Sequence, residues 1–405
     1  MPIGYLITVA VVAVAMFLAL VPLDHPGPVR TASWALGSIV SESPFAAFYW
    51  ILAATLLALA QGDLDTPVGW VALGIAGATF LGTPVLVRRS LEARPAVEAA
   101  LADGLGPGWQ REIDPSLAAP LRHELPWARI LLAPLPFLHR GVKRHRNLSY
   151  GDAGRRNLLD VYRSRARPSG APVLIHLHGG GFFMGRKSVY SRALLVELAR
   201  HGWVCISASY RLRPRAVFPD YLVDAKKVIA WARRHAPEYG ADPSIVFVAG
   251  SSAGAHLAAT ALLTQNDSAF QPGFEGADTT VSGAICLFGY YGPVDRARQP
   301  LPSSPFDYVQ PDAAPVLIAH GEYDMLVPVD QARALAKVLR EVSTSPVVYA
   351  ELPGGPHNFD LFHSIRFEIL VDGIEAFAAW VRSRPGRSAR ETPVRDATSS
   401  SDRAE

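Results

Sequence analysis

The stretch that decides the fold is FVAGSSAGAH, residues 247–256, in which two serines stand side by side between glycines. A G-x-S-x-G pattern alone is a weak signal, because short patterns of common residues arise by chance. Its surroundings are more specific, since the apolar run IVFVA precedes it and the helical pattern AHLAATALL follows it. The sequence therefore predicts a tight turn from a buried strand into a helix, in which Gly250 and Gly254 let the two elements approach closely.

The predicted turn presents a serine as a candidate nucleophile. Ser252 is the central serine of the pattern, and Ser251 is its neighbour. A glycine-rich turn at the start of a helix can instead cradle a phosphate, but this one lacks the lysine of a P-loop. We therefore expect Ser252 to be the catalytic nucleophile.

Alternating strands and helices are predicted from residue 147 to about residue 384. Six short apolar runs lack polar alternation, which is typical of strands buried on both faces. These runs cover residues 173–178, 203–209, 245–250, 283–289, 316–321 and 347–352. Helical patterns separate them at residues 192–200, 221–234, 255–263, 330–341 and 367–381. The alternation predicts an α/β fold with a doubly wound, mostly parallel sheet, whose active site lies beyond the carboxyl ends of the strands.

A nucleophilic serine needs a neighbouring base. In hydrolases built around such a turn, the acid and then the histidine follow the serine along the chain. His357, in the loop LPGGPHNFD after a predicted strand, is the candidate base, whereas His363 starts a helical pattern and is expected to be structural. The acid must follow an earlier strand, where HGEYDMLVP at residues 320–328 offers Glu322 and Asp324.

A further stretch, HLHGGGFFMG at residues 176–185, follows a predicted strand and contains three successive glycines. Their backbone N–H groups can approach a ligand without side chains in the way, so they suit the stabilisation of an oxyanion. We expect Gly180 and Gly181 to form an oxyanion hole that the N–H of Ala253 completes.

Composition excludes several classes of protein. The chain has 405 residues, 49% of them hydrophobic, and a net charge of +3. This charge is too small to indicate a nucleic-acid partner. The two cysteines, Cys205 and Cys286, lie in apolar runs, so we expect free core thiols and neither a disulfide framework nor a Cys/His metal site.

Hydrophobicity is concentrated at the N-terminus, where three uncharged apolar runs cover residues 3–23, 45–60 and 68–87. We interpret them as three transmembrane helices. The alternative for the first run is a cleaved signal peptide, but it lacks the basic residues that precede such a signal. The alternative for the second run is a buried or re-entrant helix, because the run is short.

Basic residues indicate the orientation of these spans. The loop at residues 61–66 carries two aspartates and no basic residue, whereas Arg88, Arg89 and Arg94 follow the third run. Because cytoplasmic flanks of spans are rich in basic residues, the third span is expected to end inside the cell. The sequence thus predicts a multi-pass protein of the cell membrane, with its N-terminus outside and its catalytic domain in the cytoplasm.

Four regions are therefore expected along the chain. Residues 1–89 form the membrane region, residues 90–146 a connecting segment, and residues 147–384 the catalytic domain. Within the connecting segment, residues 127–138 are apolar and precede a basic stretch. They are either an interfacial segment that covers the mouth of the site as a lid, or a short helix packed on the catalytic domain. The polar tail, residues 385–405, is expected to be disordered.

Several motifs together carry a resemblance to a known family. They are HGGG at 178–181, SYRLRP at 209–214, FPDYLVDA at 218–225, GSSAG at 250–254, HGEYD at 320–324, and His357. With them, residues 147–384 resemble an α/β-hydrolase of the hormone-sensitive-lipase-like esterase group. Members of this group hydrolyse carboxylic esters, so the resemblance implies an ester or lipid substrate and no metal or organic cofactor. It also implies Asp324 as the acid that orients His357.

The sequence departs from this family in three respects. The family more often has aspartate where Ser251 stands. The acid loop, which reads DMLVP, is closer to small-cap esterases and formamidases related to the group. The segment between the predicted strands 283–289 and 316–321 is too short for the helical cap that the family usually inserts there.

A membrane-anchored esterase or lipase is the leading interpretation. The same three residues would also serve an amide or formamide hydrolase, or an acyltransferase that passes the acyl group to an alcohol. An inactive membrane scaffold would lack one of Ser252, Asp324 and His357, and none is missing.

Overall fold

The computed structural model describes residues 2–23, 27–118, 124–135, 140–166, 168–187, 189–295 and 301–384. The tail that we expect to be disordered lies outside these residues. The helices are α1 (Pro2–Leu20), α2 (Pro28–Glu42), α3 (Pro44–Ala60), α4 (Pro67–Leu91), α5 (Ala93–Leu105), α6 (Pro115–Ala118), α7 (Trp127–Leu132), α8 (Arg192–Arg200), α9 (Asp220–His235), α10 (Ala253–Leu263), α11 (Asp330–Val342) and α12 (Ile365–Arg382). The strands are β1 (Val142–Ser149), β2 (Leu158–Ser164), β3 (Ala171–Leu177), β4 (Val204–Ala208), β5 (Ala241–Ser251), β6 (Gly283–Leu287), β7 (Val316–Gly321) and β8 (Val347–Leu352).

One sheet organises the catalytic domain. Its strand order, among the described residues, is β1-β2-β4-β3-β5-β6-β7-β8. The strands from β4 to β8 in this order are parallel, while β1 and β2 join the edge in antiparallel register. The predicted doubly wound, mostly parallel α/β sheet is confirmed, and the six predicted strands fall on β3–β8. The pair β1 and β2 is not among the predictions, because VKRHRNLS and LLDVYRS carry charges typical of an edge rather than a buried strand.

Helices cover both faces of the sheet and bury two apolar layers. One layer includes residues of α9, α10 and α11, and the other includes residues of α5, α8 and α12. Helix α11 shows why such segments are helical: Ala332, Leu335, Ala336 and Leu339 are buried at the i, i+3, i+4 and i+7 spacing of one helix face. Cys205 and Cys286 are free thiols buried in these layers, as predicted, and burial raises the pKa of Cys286 to about 12.

Part of the segment that we expect to connect two domains is integral to the hydrolase fold. Helix α5 packs on β8, where a Cβ at Gly104 would lie 2.8 Å from the Cα of Val348. Two turns earlier in the same helix, Val97 contacts α12 at Gly373. Strand β1, which starts at Val142, also belongs to the sheet. The sequence did not reveal these contacts because α5 and β1 lack the strong apolar pattern of the central strands.

Within the described residues, two stretches of helix are long and apolar enough to cross a bilayer, namely Ile3–Leu20 and Pro67–Leu105, the second of which joins α4 to α5. Helices α2 and α3 together are also long and apolar enough, but they meet at 89°, as in a broken span or a re-entrant loop. The three predicted apolar runs fall on α1, α3 and α4. Helix α2 is not among the predictions, because PVRTASWALGSIVSE mixes apolar and polar residues.

Candidate active site

The turn between β5 and α10 places Ser252 at the carboxyl edge of the sheet. Ser252 has φ 56° and ψ −118°, a strained conformation for a residue with a side chain. The close approach of strand and helix that we predicted from the two glycines is confirmed. A Cβ at Gly250 would lie 2.0 Å from the carbonyl oxygen of Gly254, and a Cβ at Gly254 would lie 2.0 Å from that of Leu177. Only glycine fits at either position.

The two adjacent serines have different environments. Ser251 is fully buried, and its hydroxyl donates a hydrogen bond of 2.8 Å to Oδ2 of Asp360. Ser252 is partly exposed, and its backbone N–H donates to the carbonyl oxygen of Leu287 at 2.9 Å. Of the two serines, Ser252 is therefore the one that is not buried.

A buried polar cluster lies beneath the turn, and sequence reasoning missed it. Asp360 is fully buried, and its Oδ2 also accepts a hydrogen bond from the hydroxyl of Ser191. Nε2 of His176 lies 3.2 Å from Oγ of Ser251, and the hydroxyls of Ser191 and Ser251 are 2.8 Å apart. Burial raises the pKa of Asp360, although its hydrogen bonds oppose the shift. The signal in the sequence was an aspartate three residues after the candidate base.

The structure brings Asp324 and His357 together. Nδ1 of His357 lies 2.6 Å from Oδ2 of Asp324, and both side chains are buried. Oδ1 of Asp324 accepts hydrogen bonds from the backbone N–H groups of Leu326 at 2.9 Å and Val327 at 2.8 Å. Burial would raise the pKa of Asp324, but His357, His320 and the hydrogen bonds lower it to about 2. The carboxyl group is therefore ionised at neutral pH and can hold the imidazole in one orientation.

Glu322, the other carboxylate of this loop, makes a different contact. Its Oε2 accepts the backbone N–H of Gly354 at 2.8 Å. The N–H of Tyr323 donates to the carbonyl oxygen of Gly355 at 2.9 Å. These bonds join the loop at residues 321–328, which we call the acid loop, to the loop at residues 353–360, which we call the histidine loop. Of the two candidate acids, Asp324 alone faces His357 in the described contacts.

The glycine triplet runs beside the serine. A Cβ at Gly179 would lie 3.2 Å from the Cβ of Ser252, so the loop passes the nucleophile candidate in van der Waals contact. Gly180 has φ 115° and Gly181 has φ 61°, which are conformations that favour glycine. Ala253 is the first residue of α10, directly after the serine. The glycine triplet and the first residue of α10 therefore both lie next to Ser252.

Other histidines near the site are held in structural contacts. The His178 ring stacks on Tyr210 with 4.3 Å between ring centroids, and its Nδ1 lies 2.7 Å from the carbonyl oxygen of Gly179. Burial lowers the pKa of His178 to about 4 and that of His256 to about 4 as well. His363 is bonded through Nδ1 to a helix α12 carboxylate at 2.6 Å, as expected for a structural residue. The rings of His178 and His256 are therefore neutral at pH 7.

Apolar side chains lie exposed near the site. Phe183 and Met184 follow the glycine triplet, and Leu326 follows Asp324. An apolar surface of this kind suits the acyl part of an ester. Within the described ranges, no group of three or more His, Cys, Asp or Glu side chains is arranged to hold a metal ion.

Comparison with known proteins finds esterase relatives of this chain. The BD-FAE family profile matches residues 159–300 and 287–339. LipM of Mycobacterium tuberculosis (strain ATCC 25618 / H37Rv), described as a probable carboxylic ester hydrolase, is 37% identical over 94% of this chain and 93% of its own length. Esterase LipQ of the same organism is 34% identical over 71% of this chain and 75% of its own length. Esterase LipC, also from that organism, is 37% identical over 62% of this chain and 69% of its own length.

LipM is 37% identical over 94% of this chain, and the mostly parallel sheet with helices on both faces is that of an α/β-hydrolase. The chain therefore belongs to the α/β-hydrolase esterases of the hormone-sensitive-lipase-like group and is a carboxylic ester hydrolase.

Proposed function

We propose that the chain is a membrane-anchored serine esterase or lipase that cleaves carboxylic esters through an acyl-enzyme on Ser252. The observation that carries this proposal is the geometry of the site. A strained, partly exposed serine lies beside three glycines, and at the same sheet edge a buried imidazole is bonded to a carboxylate at 2.6 Å.

In the acylation half of the proposed reaction, Oγ of Ser252 attacks the carbonyl carbon of the ester. Nε2 of His357 takes the serine proton, and Asp324 stabilises the imidazolium without taking the proton itself. The carbonyl oxygen becomes an oxyanion, which the backbone N–H groups of Gly180, Gly181 and Ala253 stabilise. The tetrahedral intermediate then collapses, the bond to the alcohol oxygen breaks, and His357 gives its proton to the departing alcohol.

In the deacylation half, water replaces the alcohol in the site. His357 takes a proton from the water as the water oxygen attacks the acyl carbon, and the same oxyanion hole stabilises the second intermediate. The bond between the acyl carbon and Oγ of Ser252 then breaks. The serine regains the proton from His357, and the carboxylic acid leaves.

Substitution of the two serines tests the nucleophile. Ser252→Ala should abolish labelling by a fluorophosphonate probe and reduce ester hydrolysis by several orders of magnitude. Ser251→Ala is the matched control, because it removes a hydroxyl from the adjacent residue and should preserve labelling. Labelling that survives in the Ser252→Ala protein would contradict the assignment.

A p-nitrophenyl ester series of graded chain length, run beside an aryl amide, defines the substrate class.

The membrane anchor is supported by the outer surface of the N-terminal helices. Only 33% of the apolar window in Ile3–Leu20, and 33% of that in Pro67–Leu105, is buried inside the protein. Large apolar side chains are exposed on these helices and on α3, where a bilayer would shield them from water. Those exposed include Ile7, Phe17, Leu57, Trp70 and Leu81.

The proposed orientation has the catalytic domain in the cytoplasm. Arg89, near the end of α4, donates to the carbonyl oxygen of Leu20 at 3.2 Å, so α1 and α4 end at the same side. The catalytic domain follows that end, and the basic residues there favour the cytoplasmic face. A reporter fused to the C-terminus should give a cytoplasmic signal, and the protein should remain in membranes after a carbonate wash. A periplasmic or extracellular reporter signal would overturn the orientation.

The segment at residues 127–138 is proposed as a contact with the lipid surface near the site mouth; residues 136–139 lie outside the described part of the chain. Ile130 is buried in the core, whereas Leu132 and Leu135 are exposed. The carbonyl oxygen of Pro134 accepts the N–H of His363 at 2.8 Å, which holds the segment beside the end of the histidine loop.

Charged replacement of exposed leucines tests this contact. Leu132→Asp should weaken hydrolysis of long-chain esters presented in vesicles and spare short soluble esters, because only the former require the lipid surface. The matched control is Val342→Asp, which changes an exposed apolar residue at the end of α11. Equal loss on both kinds of substrate, or no loss on either, would show that the segment is only a connection between domains.

A further inference from the structure

The N-terminal helices contact the two loops that carry Asp324 and His357. Two separate points of contact exist, one from the end of α4 and one from the end of α2. Arg89 of α4 contacts both loops itself, whereas Glu42 of α2 contacts Arg366 of α12, which in turn binds the histidine loop. The N-terminal helices are therefore connected to the two loops directly by Arg89 and through Arg366 by Glu42.

The first contact is made by Arg89. Its guanidinium carbon lies 5.2 Å from the centroid of the Tyr323 ring, in a cation–π arrangement, and Tyr323 is next to Asp324. The side chain also packs on the histidine loop, because a Cβ at Gly354 would lie 2.1 Å from Cδ of Arg89. The same guanidinium donates to the carbonyl oxygen of Leu20. One side chain thus touches both loops and the end of α1.

The second contact is a buried ion pair. Glu42, at the end of α2, is 2% exposed and Arg366, in α12, is 1% exposed. Nη1 of Arg366 donates to Oε1 of Glu42, and its Nη2 donates to the carbonyl oxygen of Pro353 at 3.1 Å, at the start of the histidine loop. The hydroxyl of Ser364 donates to Oε2 of Glu42 at 2.5 Å. The carboxylate therefore holds Arg366 where it can bind the loop backbone.

A buried ion pair is a poor device for stability alone, because removing two charges from water offsets their attraction. Its best-supported use is to fix one arrangement of the elements that it joins. Here the joined elements are α2, α12 and the first residue of the histidine loop. The acid and histidine loops are themselves joined by the bonds of Glu322, Tyr323 and Asp324 described above.

We propose that Glu42 and Arg89 are positioning residues for ester hydrolysis, which hold the histidine loop and the acid loop in register from the membrane side. Neither residue touches the reacting atoms. Glu42 acts through Arg366 on the backbone of Pro353, and Arg89 acts on Tyr323 and Gly354. The inference rests on the proposed roles of Asp324 and His357.

The test uses the full chain in detergent or vesicles and a short soluble p-nitrophenyl ester. Arg89→Ala should lower kcat by about 10- to 100-fold with little change in KM, because a misplacement of about 1 Å costs rate rather than binding. The rate of fluorophosphonate labelling should fall in parallel, since it depends on the same serine and histidine. Arg89→Lys should recover part of the rate, since lysine keeps a cation near the ring of Tyr323. Glu42→Gln should give the same kcat loss, and Glu42→Asp a smaller one.

A control variant separates positioning from loss of stability. Lys226 is fully buried in α9, and its Nζ donates to the carbonyl oxygen of Thr264, just beyond the end of α10 that is remote from Ser252. Lys226→Met removes a buried charge away from both loops, so kcat per folded molecule should stay at the wild-type value. A reporter at the C-terminus checks that Arg89→Ala keeps its topology.

The outcomes are distinguishable. If Ser252→Ala still reacts with the probe, the proposed nucleophile is wrong. If Ser252→Ala is inert but Arg89→Ala hydrolyses and labels at the wild-type rate, the nucleophile stands and the positioning role is refuted. If Glu42→Gln fails to fold, because Arg366 is left buried without its partner, Arg89→Ala still decides the question.

Discussion

Replacement of Asp324 by asparagine is the sharpest test of the acid. Oδ1 accepts two backbone N–H groups, from Leu326 and Val327, and Oδ2 faces Nδ1 of His357 at 2.6 Å and Nε2 of His320 at 3.1 Å. Asparagine has one acceptor oxygen and one NH2 group, so it cannot satisfy both sides. If the NH2 faced the backbone, two buried N–H groups would lose their acceptor, at a cost of about 1–3 kcal/mol each.

The asparagine therefore keeps its oxygen on the backbone and turns its NH2 towards His357. Nδ1 of the imidazole must then accept a hydrogen bond, which moves the ring proton to Nε2. In that tautomer His357 cannot take the proton of Ser252 as the proposed mechanism requires, and the loss in kcat for this change in Ser-His-Asp enzymes is about 10⁴-fold. This factor corresponds to about 5 kcal/mol of transition-state stabilisation.

The assay is kcat on a short p-nitrophenyl ester, normalised to the folded fraction from thermal unfolding. The matched control is Glu322→Gln, which alters the neighbouring carboxylate and its bond to Gly354 but leaves Asp324 facing His357. Its loss in kcat should be far smaller. A folded Asp324→Asn protein that loses less than about ten-fold in kcat would refute the tautomer argument, since that argument requires about 10⁴-fold.

Two further predictions concern the fold. Gly254→Ala should strongly lower the midpoint temperature of thermal unfolding, because its Cβ would lie 2.0 Å from a β3 carbonyl oxygen. Gly276→Ala is the control and should leave the midpoint unchanged, because a Cβ there would meet nothing within 4 Å. Equal midpoints for the two variants would contradict the packing argument. Burial lowers the pKa of His201, but hydrogen bonds to Glu197 and Glu375 raise it overall to about 9. Protonated His201 therefore stabilises the folded protein fully below the unfolded-state pKa of 6.5, and this stabilisation is lost as the pH rises through 9. His201→Gln should thus lower the free energy of unfolding by about 3 kcal/mol at pH 6 and by little at pH 10. A loss that does not change with pH, measured by urea unfolding, would contradict this.

The centre of the fold could be predicted because its strands are buried on both faces. Runs such as VLIHLH and IVFVAG are continuous and apolar, so they identify the parallel strands, and the turn at Gly250 and Gly254 leaves no alternative to a close strand–helix approach. The proposed site residues could be predicted from this arrangement of strands, because the carboxyl ends of parallel strands lie at one edge of the sheet. The edge was less predictable: β1 carries lysine, arginines and histidine, and only pairing with β2 makes it a strand.

Contacts distant in sequence could not be predicted. Asp360 looks like one more loop carboxylate until folding buries it against Ser251 and Ser191. Glu42 sits in a mixed polar helix, and its partner Arg366 is more than 300 residues away. Neither propensity nor periodicity encodes such a pair, because each residue is locally unremarkable and only tertiary packing gives it a role.

The junction between α4 and α5 has a consequence for how the enzyme reaches its substrates. Only Glu92 separates the two helices, and Pro67–Leu105 runs on as a single helical stretch that ends against β8. In the proposed membrane-anchored form, a rigid helical connection and not a flexible linker thus joins the catalytic domain to the membrane span. The membrane span then sets the distance and the angle of the site relative to the bilayer surface. Substrates must reach the site at one depth of the interface, so the thickness of the membrane should affect the rate of hydrolysis.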